Sequence, residues 1–543
     1  MTRRFLAALV LVVPVTLLLL AGPAAAHASL ESTTPAAGQT LRTPPKQVTV
    51  SFDEAVVTTA GSIRLFDGDG NRVDTGRVQR TGHDVHVTVP KLDDGTYIVT
   101  WRVTSADAHP IHGAFTFDIG TGATSDGNTQ ALTRKLLAAQ GGDTVVGFVY
   151  AVQRVLAFAS VIVVVGGAAF LALLWPKGTT DRRARRLLLW SWITAFVVTA
   201  LGIGLQGAYG AGLKLTSALD PSVIGDEIGT RFGEGSLLRL AFLVVLGVVL
   251  LGVIRPSFSS ALWGFAFGAG LAVVATFGWA GHAATGDLHE IGLPADIAHL
   301  AAVSLWLGGL TVLALCVLPR RDERELGRVV PAFSRLALVC VAIIVATGVF
   351  QGWRQTRSID ALDSTTYGRL LIVKVLIFVV LVGLAWTARR WVHGRAHDGS
   401  VGAFARTITM EVGLAVAVIA VTGLLVNAQP ARTALAQPYS TELTAGPLLV
   451  DVTVDPAKAG PADVHVYTLD QQGQVKAVAE VDVSLRLPDR DVGPLSVPME
   501  RAGPGHFASY GFRLPFPGAW RLDIAVRVGE VDQYSATTPV RIR

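Results

Sequence analysis

The stretch TTYGRLLIVKVLIFVVLVGLAWTARR, residues 365–390, decides the fold class. Between Arg369 and Arg389 its single charged residue is Lys374. An apolar run of this length matches the ~20 residues a helix needs to cross ~30 Å of hydrocarbon. Seven further segments of the same character occur, so the expected spans are 147–175, 187–209, 236–254, 261–280, 295–318, 332–353, 369–388 and 407–427. The weakest boundary is the short turn RPSFSS between the third and fourth. The pattern predicts an eight-helix transmembrane bundle over 145–428.

Composition agrees. The chain has 543 residues, 51 % apolar and only 16 % charged, too long for one domain and too apolar for an ordinary soluble one. Its net charge of +5 is spread among hydrophobic runs, which argues against nucleic acid as a partner and for the lipid bilayer. The two cysteines, Cys316 and Cys340, lie inside apolar segments, too few for a disulfide scaffold. Three methionines exclude a thioether cluster for Cu(I).

The flanks are strand-like. Residues 27–122 contain VTVSF, SIRLF, VHVTV, YIVTWRV and AFTFDIG, short period-2 runs bounded by turn residues, which predict an all-β sandwich of cupredoxin or immunoglobulin type. Residues 123–144 read as a linker. Residues 429–543 alternate again (PLLVDVTVDP, ADVHVYTLD, AWRLDIAVRV) and predict a second all-β sandwich. At the start, Arg3 and Arg4, an apolar run and Ala24-Ala25-Ala26 form a secretory signal over 1–26. Its alternative is an uncleaved anchor. With the first sandwich exported, the loops KGTTDRRARR, RPSFSS, PRRDERELGR and ARRWVHGRAHDGSVGAFAR face the cytoplasm and carry more Lys and Arg than the opposite set, as the positive-inside rule requires. Eight spans then return the C-terminus outside, in a multi-pass membrane protein.

Cleavage after Ala26 would make His27 the N-terminus, whose α-amine and Nδ1 can chelate one ion. Asp107 and His109, in WRVTSADAHPIHGAFTF (101–117), are two apart and share a side of an extended chain. Three nitrogens and a carboxylate suit Cu(II). A polar turn without metal reads the same spacing. His112 is a possible accessory ligand, and His83 and His86 flank a strand as surface residues.

In span five, Asp296 and His299 stand at i, i+3 on one helical face. His282 and His289 precede them in the outer loop with Asp287 and Glu290. Ionisable groups near a bilayer are costly and mark pathways, so His282, His289, Asp296 and His299 form a candidate acceptor path, the first two also readable as solvated loop residues. Deeper, Lys374, Glu411, Gln206 and Arg154 are polar, with Lys374 and Glu411 expected toward opposite ends. Cys316 and Cys340 are thiolate candidates for Cu(I) or small buried hydrophobes. No GxxxxGK[ST] motif occurs.

HASLESTTPAAGQTL, PPKQVTVSFDEAV and DDGTYIVTWRVTSADAHPIHGAFTF resemble the periplasmic copper-binding family CopC, which implies a Cu(II) site of His27, Asp107 and His109. The stretches 278–310 and 365–390 resemble the CopD copper-transport family. The order of domains is similar to fusion proteins of the YcnJ type, and GPGHFASYGFRLPFPGAWRLDIAV resembles YtkA-like domains. The resemblance implies a copper protein, not an enzyme, that captures Cu(II) outside and imports it, with an extracytoplasmic donor or acceptor protein as partner. Alternatives are sequestration without transport, a copper-brace oxidase, or a haem protein with His282 or His299 as axial ligand.

Overall fold

The computed structural model describes residues 30–542 apart from 36–38, 53–55, 59–60, 75–76, 106–109, 121–131, 134, 138–142, 254–259, 285–287, 357–358, 360, 395–400, 429–430, 432–438, 456, 472–474, 504 and 530–531. The expected signal segment and His27, Asp107 and His109 lie outside these residues. The chain divides into two compact units, one of strands (28–103, 111–141, 430–543) and one built around 142–429.

The N-terminal strands are β1 (Leu30–Thr34), β2 (Thr40–Leu41), β3 (Gln47–Phe52), β4 (Ile63–Phe66), β5 (Val78–Thr81), β6 (Asp84–Thr88), β7 (Gly95–Thr104) and β8 (Pro110–Ile119). They form two sheets ordered β1-β3-β6-β5 and β2-β8-β7-β4. Alternation does the work here. Val48, Val50 and Phe52 of β3 point inward and are fully buried, as period-2 side chains must be when one face meets a core. Phe52 packs edge-on against Trp101 at 5.3 Å.

The C-terminal strands are β9 (Tyr439–Ala445), β10 (Leu448–Asp455), β11 (Gly460–Leu469), β12 (Glu480–Leu487), β13 (Val492–Val497), β14 (Glu500–Gly503), β15 (His506–Leu514), β16 (Gly518–Arg527) and β17 (Gln533–Ile542). Their sheets run β14-β15-β11-β10-β9 and β13-β12-β16-β17. Leu448, Val450, Val452 and Val454 of β10 line this second core with Trp520, whose indole N–H donates to the Phe516 carbonyl at 2.9 Å.

The helices are α1 (Thr144–Leu173), α2 (Arg182–Gly210), α3 (Pro221–Ile228), α4 (Arg231–Val253), α5 (Ser260–Trp279), α6 (His289–Val303), α7 (Glu323–Thr356), α8 (Thr366–Gly394) and α9 (Val401–Asn427). Asp143 and Asp181 cap α1 and α2, each accepting a backbone N–H at 2.8 Å, which satisfies donors that a helix start leaves unpaired. The α6 run continues through π-helical turns at Ser304–Gly308 and Leu313–Val317 to Arg320.

Among the described residues seven helices are long and apolar enough to cross a membrane, and the eighth expected segment is a shorter apolar helix, Trp263–Trp279 within α5. Exposed apolar side chains such as Phe148, Trp190, Val248, Val349 and Leu376 stud the outside of these helices, the residues a hydrocarbon solvent accepts. Small residues permit close packing inside. A Cβ on Gly166 would overlap the Ser304 carbonyl, and one on Gly308 the Ile162 carbonyl, so α1 and the first π turn touch backbone to backbone.

Span five differs from its sequence expectation. The helix begins at His289, six residues before the apolar run, and contains Pro294. His289 therefore opens α6 instead of lying in a loop, and His282 starts a 3-10 turn, His282–Ala284. Hydropathy marks only the apolar part of a helix, not its polar first turns.

Candidate metal site in the helical bundle

In the N-terminal sandwich, β7 and β8 are neighbours in one sheet. His112 is exposed on β8, where Arg102 is close enough for its charge to be felt. His86 lies opposite Gln79, 3.3 Å between Nε2 and Oε1, a surface pairing.

The bundle holds a polar layer. His299 Nδ1 lies 2.9 Å from Thr347 Oγ1. That hydroxyl is also 2.6 Å from the Ile343 carbonyl, so it donates there and accepts from His299 Nδ1–H. The tautomer is assigned by this network: a neutral ring so held keeps its lone pair on Nε2. Metal-bound histidines are held in the same way, through the ring N–H opposite the metal. Asp296, one turn earlier, packs against Gly278 of α5, where a Cβ would come within 2.8 Å of Oδ2. Lys374 of α8 and Arg354 of α7 are the cations whose charges act on Asp296.

Depth follows from helix rise. His299 lies ten residues into α6, about 15 Å at 1.5 Å per residue. Thr347 is about 14 Å from the end of α7, and Lys374 about 12 Å into α8. Gln351 Nε2 donates to the Gly292 carbonyl at 2.9 Å, which ties the end of α7 to the start of α6. His299, Thr347 and Lys374 therefore stand at similar distances from the ends of their own helices. The same arithmetic separates His289 from His299 by about 15 Å, so they are successive stations and not one coordination shell. Among the described residues no three His, Cys, Asp or Glu side chains converge as a metal shell.

Cys316 and Cys340 are both buried and pack in the main apolar cluster of the bundle. Glu411 of α9 is 2 % exposed, and its Oε1 has no hydrogen-bond partner. It faces a cavity of about 90 Å³ lined by Trp306, Leu310, Phe333, Val341 and Arg389. Lys374 acts with Asp296 instead, in keeping with the expected separation of Lys374 from Glu411.

Residues 30–120 match the family described as CopC domain. Residues 121–289 match Copper resistance protein D-like, N-terminal domain, and residues 327–425 match Copper resistance protein D. Copper resistance protein D of Pseudomonas syringae pv. tomato is 32 % identical over 218 residues, 37 % of this chain and 69 % of that protein. The chain belongs to the CopC–CopD copper family. Copper transport protein CutJ of Bacillus subtilis is 26 % identical over 479 residues, 85 % of each chain, so the whole fusion, and not one domain, is shared. The crystal structure of CopC from Methylosinus trichosporium OB3b aligns at 25 % identity and a TM-score of 0.16, covering 17 % of this chain and 93 % of that one.

Sequence reasoning missed Thr347, Gln351 and Arg354 of the fusion's polar layer. The signal was present: Thr347 and Gln351 lie inside the apolar run of span six and Arg354 just past it, where each hydrogen-bonding group must find a partner in the protein.

Proposed function

We propose that this CopC–CopD fusion captures Cu(II) outside the cell at His27, Asp107 and His109 and imports it through the bundle by way of His282, His289, Asp296 and His299. The observation that carries the reading is His299 Nδ1 held 2.9 Å from the Thr347 hydroxyl, which leaves Nε2 as the ligating nitrogen, one helical turn from Asp296. A nitrogen and a carboxylate oxygen suit a divalent copper ion better than sulfur-seeking Cu(I). Lys374 balances Asp296 while the site waits, and an arriving cation takes its place as counter-charge. Copper is cargo here, and both sandwiches face outward from a bacterial plasma membrane.

Orientation draws support from contacts between loops. Trp175 Nε1 donates to Glu325 Oε2 at 3.1 Å, Lys177 lies 3.6 Å from Glu325, and Arg320 pairs with Asp181. The loops after α1 and after the α6 run thus share one end of the bundle, the Arg-rich end that faces the cytoplasm. Apart from the short α3, four helices lie between these loops, α2, α4, α5 and the α6 run. Only an even number of crossings returns the chain to one side, so α5 crosses as well. Arg231 Nε donating to the Trp279 carbonyl at 2.9 Å ties the start of α4 to the end of α5 and agrees with this.

The test is cell-associated copper at limiting supply in a deletion strain carrying wild type, His27→Ala or His299→Ala. Both variants should accumulate less than wild type. Equal accumulation in all strains would remove the import reading.

A further inference from the structure

Strands β11 and β15 pair antiparallel with Tyr467 opposite His506, Val466 opposite Phe507 and His465 opposite Ala508. Val466 and Phe507 enter the core, so the alternating residues, His465, Tyr467 and His506, share the other face. The two histidines are diagonal neighbours there. His465 Nδ1 and His506 Nε2 are 3.2 Å apart, and the rings are inclined by only 20°. Aromatic packing holds both. Tyr467 stacks on His506 at 4.1 Å, and Tyr510 meets His465 edge-on at 5.7 Å.

We infer that His465 and His506 form a second metal site, on the C-terminal sandwich, for an imidazole-seeking divalent cation such as Cu(II) or Zn(II). The distance carries the argument. With metal–nitrogen bonds of ~2.0–2.1 Å, nitrogens this far apart subtend roughly 100° at a shared ion, between tetragonal and tetrahedral geometry. A linear two-coordinate ion would need them about 4 Å apart, so the pair selects against that geometry.

The 3.2 Å N···N contact needs a neutral acceptor ring, and neutral imidazole is the form that ligates. In the empty site one N–H···N bond joins them. On binding, the bridging proton moves to the outer nitrogen of its own ring, so no net proton is released and both inner lone pairs face the ion. Among the described residues no third His, Cys, Asp or Glu completes the shell, and water fills the remaining positions. His465 is half-buried and Tyr510 is 63 % exposed, so the site opens to solvent. Two protein ligands with exchangeable water make a site suited to handing an ion on. The inference does not depend on import.

The experiment uses the full chain in detergent, carrying His27→Ala, His109→Ala, His282→Ala, His289→Ala and His299→Ala to remove the other proposed histidine ligands. CuCl2 is the probe, with copper bound per chain from equilibrium dialysis and the nitrogen splitting of the Cu(II) resonance spectrum. The background protein should hold one ion with two-nitrogen splitting. Adding His465→Gln should remove that ion or weaken it at least tenfold, while Tyr467→Phe should leave it in place. His465 is at the open rim, so unchanged tryptophan fluorescence of His465→Gln certifies the fold. Equal copper binding in the background and His465→Gln proteins would overturn the site, as would no binding by the background protein. Copper import unchanged by His27→Ala and His299→Ala, with this binding intact, would count against the transport reading alone.

Discussion

Replacing Thr347 by valine tests the polar layer with almost no change in shape. The substitution removes the oxygen 2.9 Å from His299 Nδ1 and puts a methyl in its place. Weakening the hydrogen bonding of that buried ring N–H costs up to about 1–3 kcal/mol, and the ring loses a contact that orients it. Removal of the partner that orients a metal-bound histidine lowers metal affinity about 10–100-fold, which is about 1.4–2.7 kcal/mol. Thr347→Val should therefore raise the copper concentration for half-maximal uptake by that factor, while Thr347→Ser, which keeps the hydroxyl, should stay near wild type. The assay is initial-rate copper uptake across a concentration series in cells expressing equal amounts of each protein. If Thr347→Val matched wild type within about twofold, a range smaller than 0.5 kcal/mol, His299 would not be a ligand held in this way.

Three other outcomes are expected. Gly166→Ala should destabilise the bundle by at least about 1–3 kcal/mol, the cost of overpacking, because its methyl meets the Ser304 carbonyl, whereas Gly383→Ala, with no atom nearby, should not; thermal unfolding in detergent separates the two. Glu227, on α3 between spans, is pushed up to about 8 by burial, against a lowering hydrogen bond from Thr230. A folded value above the unfolded one means the native state binds the proton more tightly, so stability present below the ordinary carboxylate range falls as pH rises toward about 8 and then levels. Glu227→Gln should flatten that slope in unfolding curves taken from pH 5 to 9. For Cu(II) titrated into the protein, Asp107→Ala or His109→Ala should cost at least about tenfold in affinity, 1.4 kcal/mol, and His112→Ala less; equal losses for all three would refute the ligand set.

Local chemistry made much of this protein legible in one dimension. Apolar length announced the spans, because a bilayer demands a run of residues. Alternation announced β3 and β10, because a half-buried strand shows its two faces every second residue. Asp296 and His299 could be placed together because three residues make nearly a turn. The rest required chain segments far apart to meet. Thr347 is 48 residues from His299, Glu325 is 150 from Trp175, and His506 is 41 from His465, and no periodicity encodes such distances. ADVHVYTLD and GPGHFASYG each read as a plain strand; only the register of β11 on β15 sets their imidazoles side by side. The start of α6 at His289 was likewise decided by packing. Solvent preference acts on each residue where it stands, whereas a site is a relation between residues, and that relation exists only once the backbone has closed.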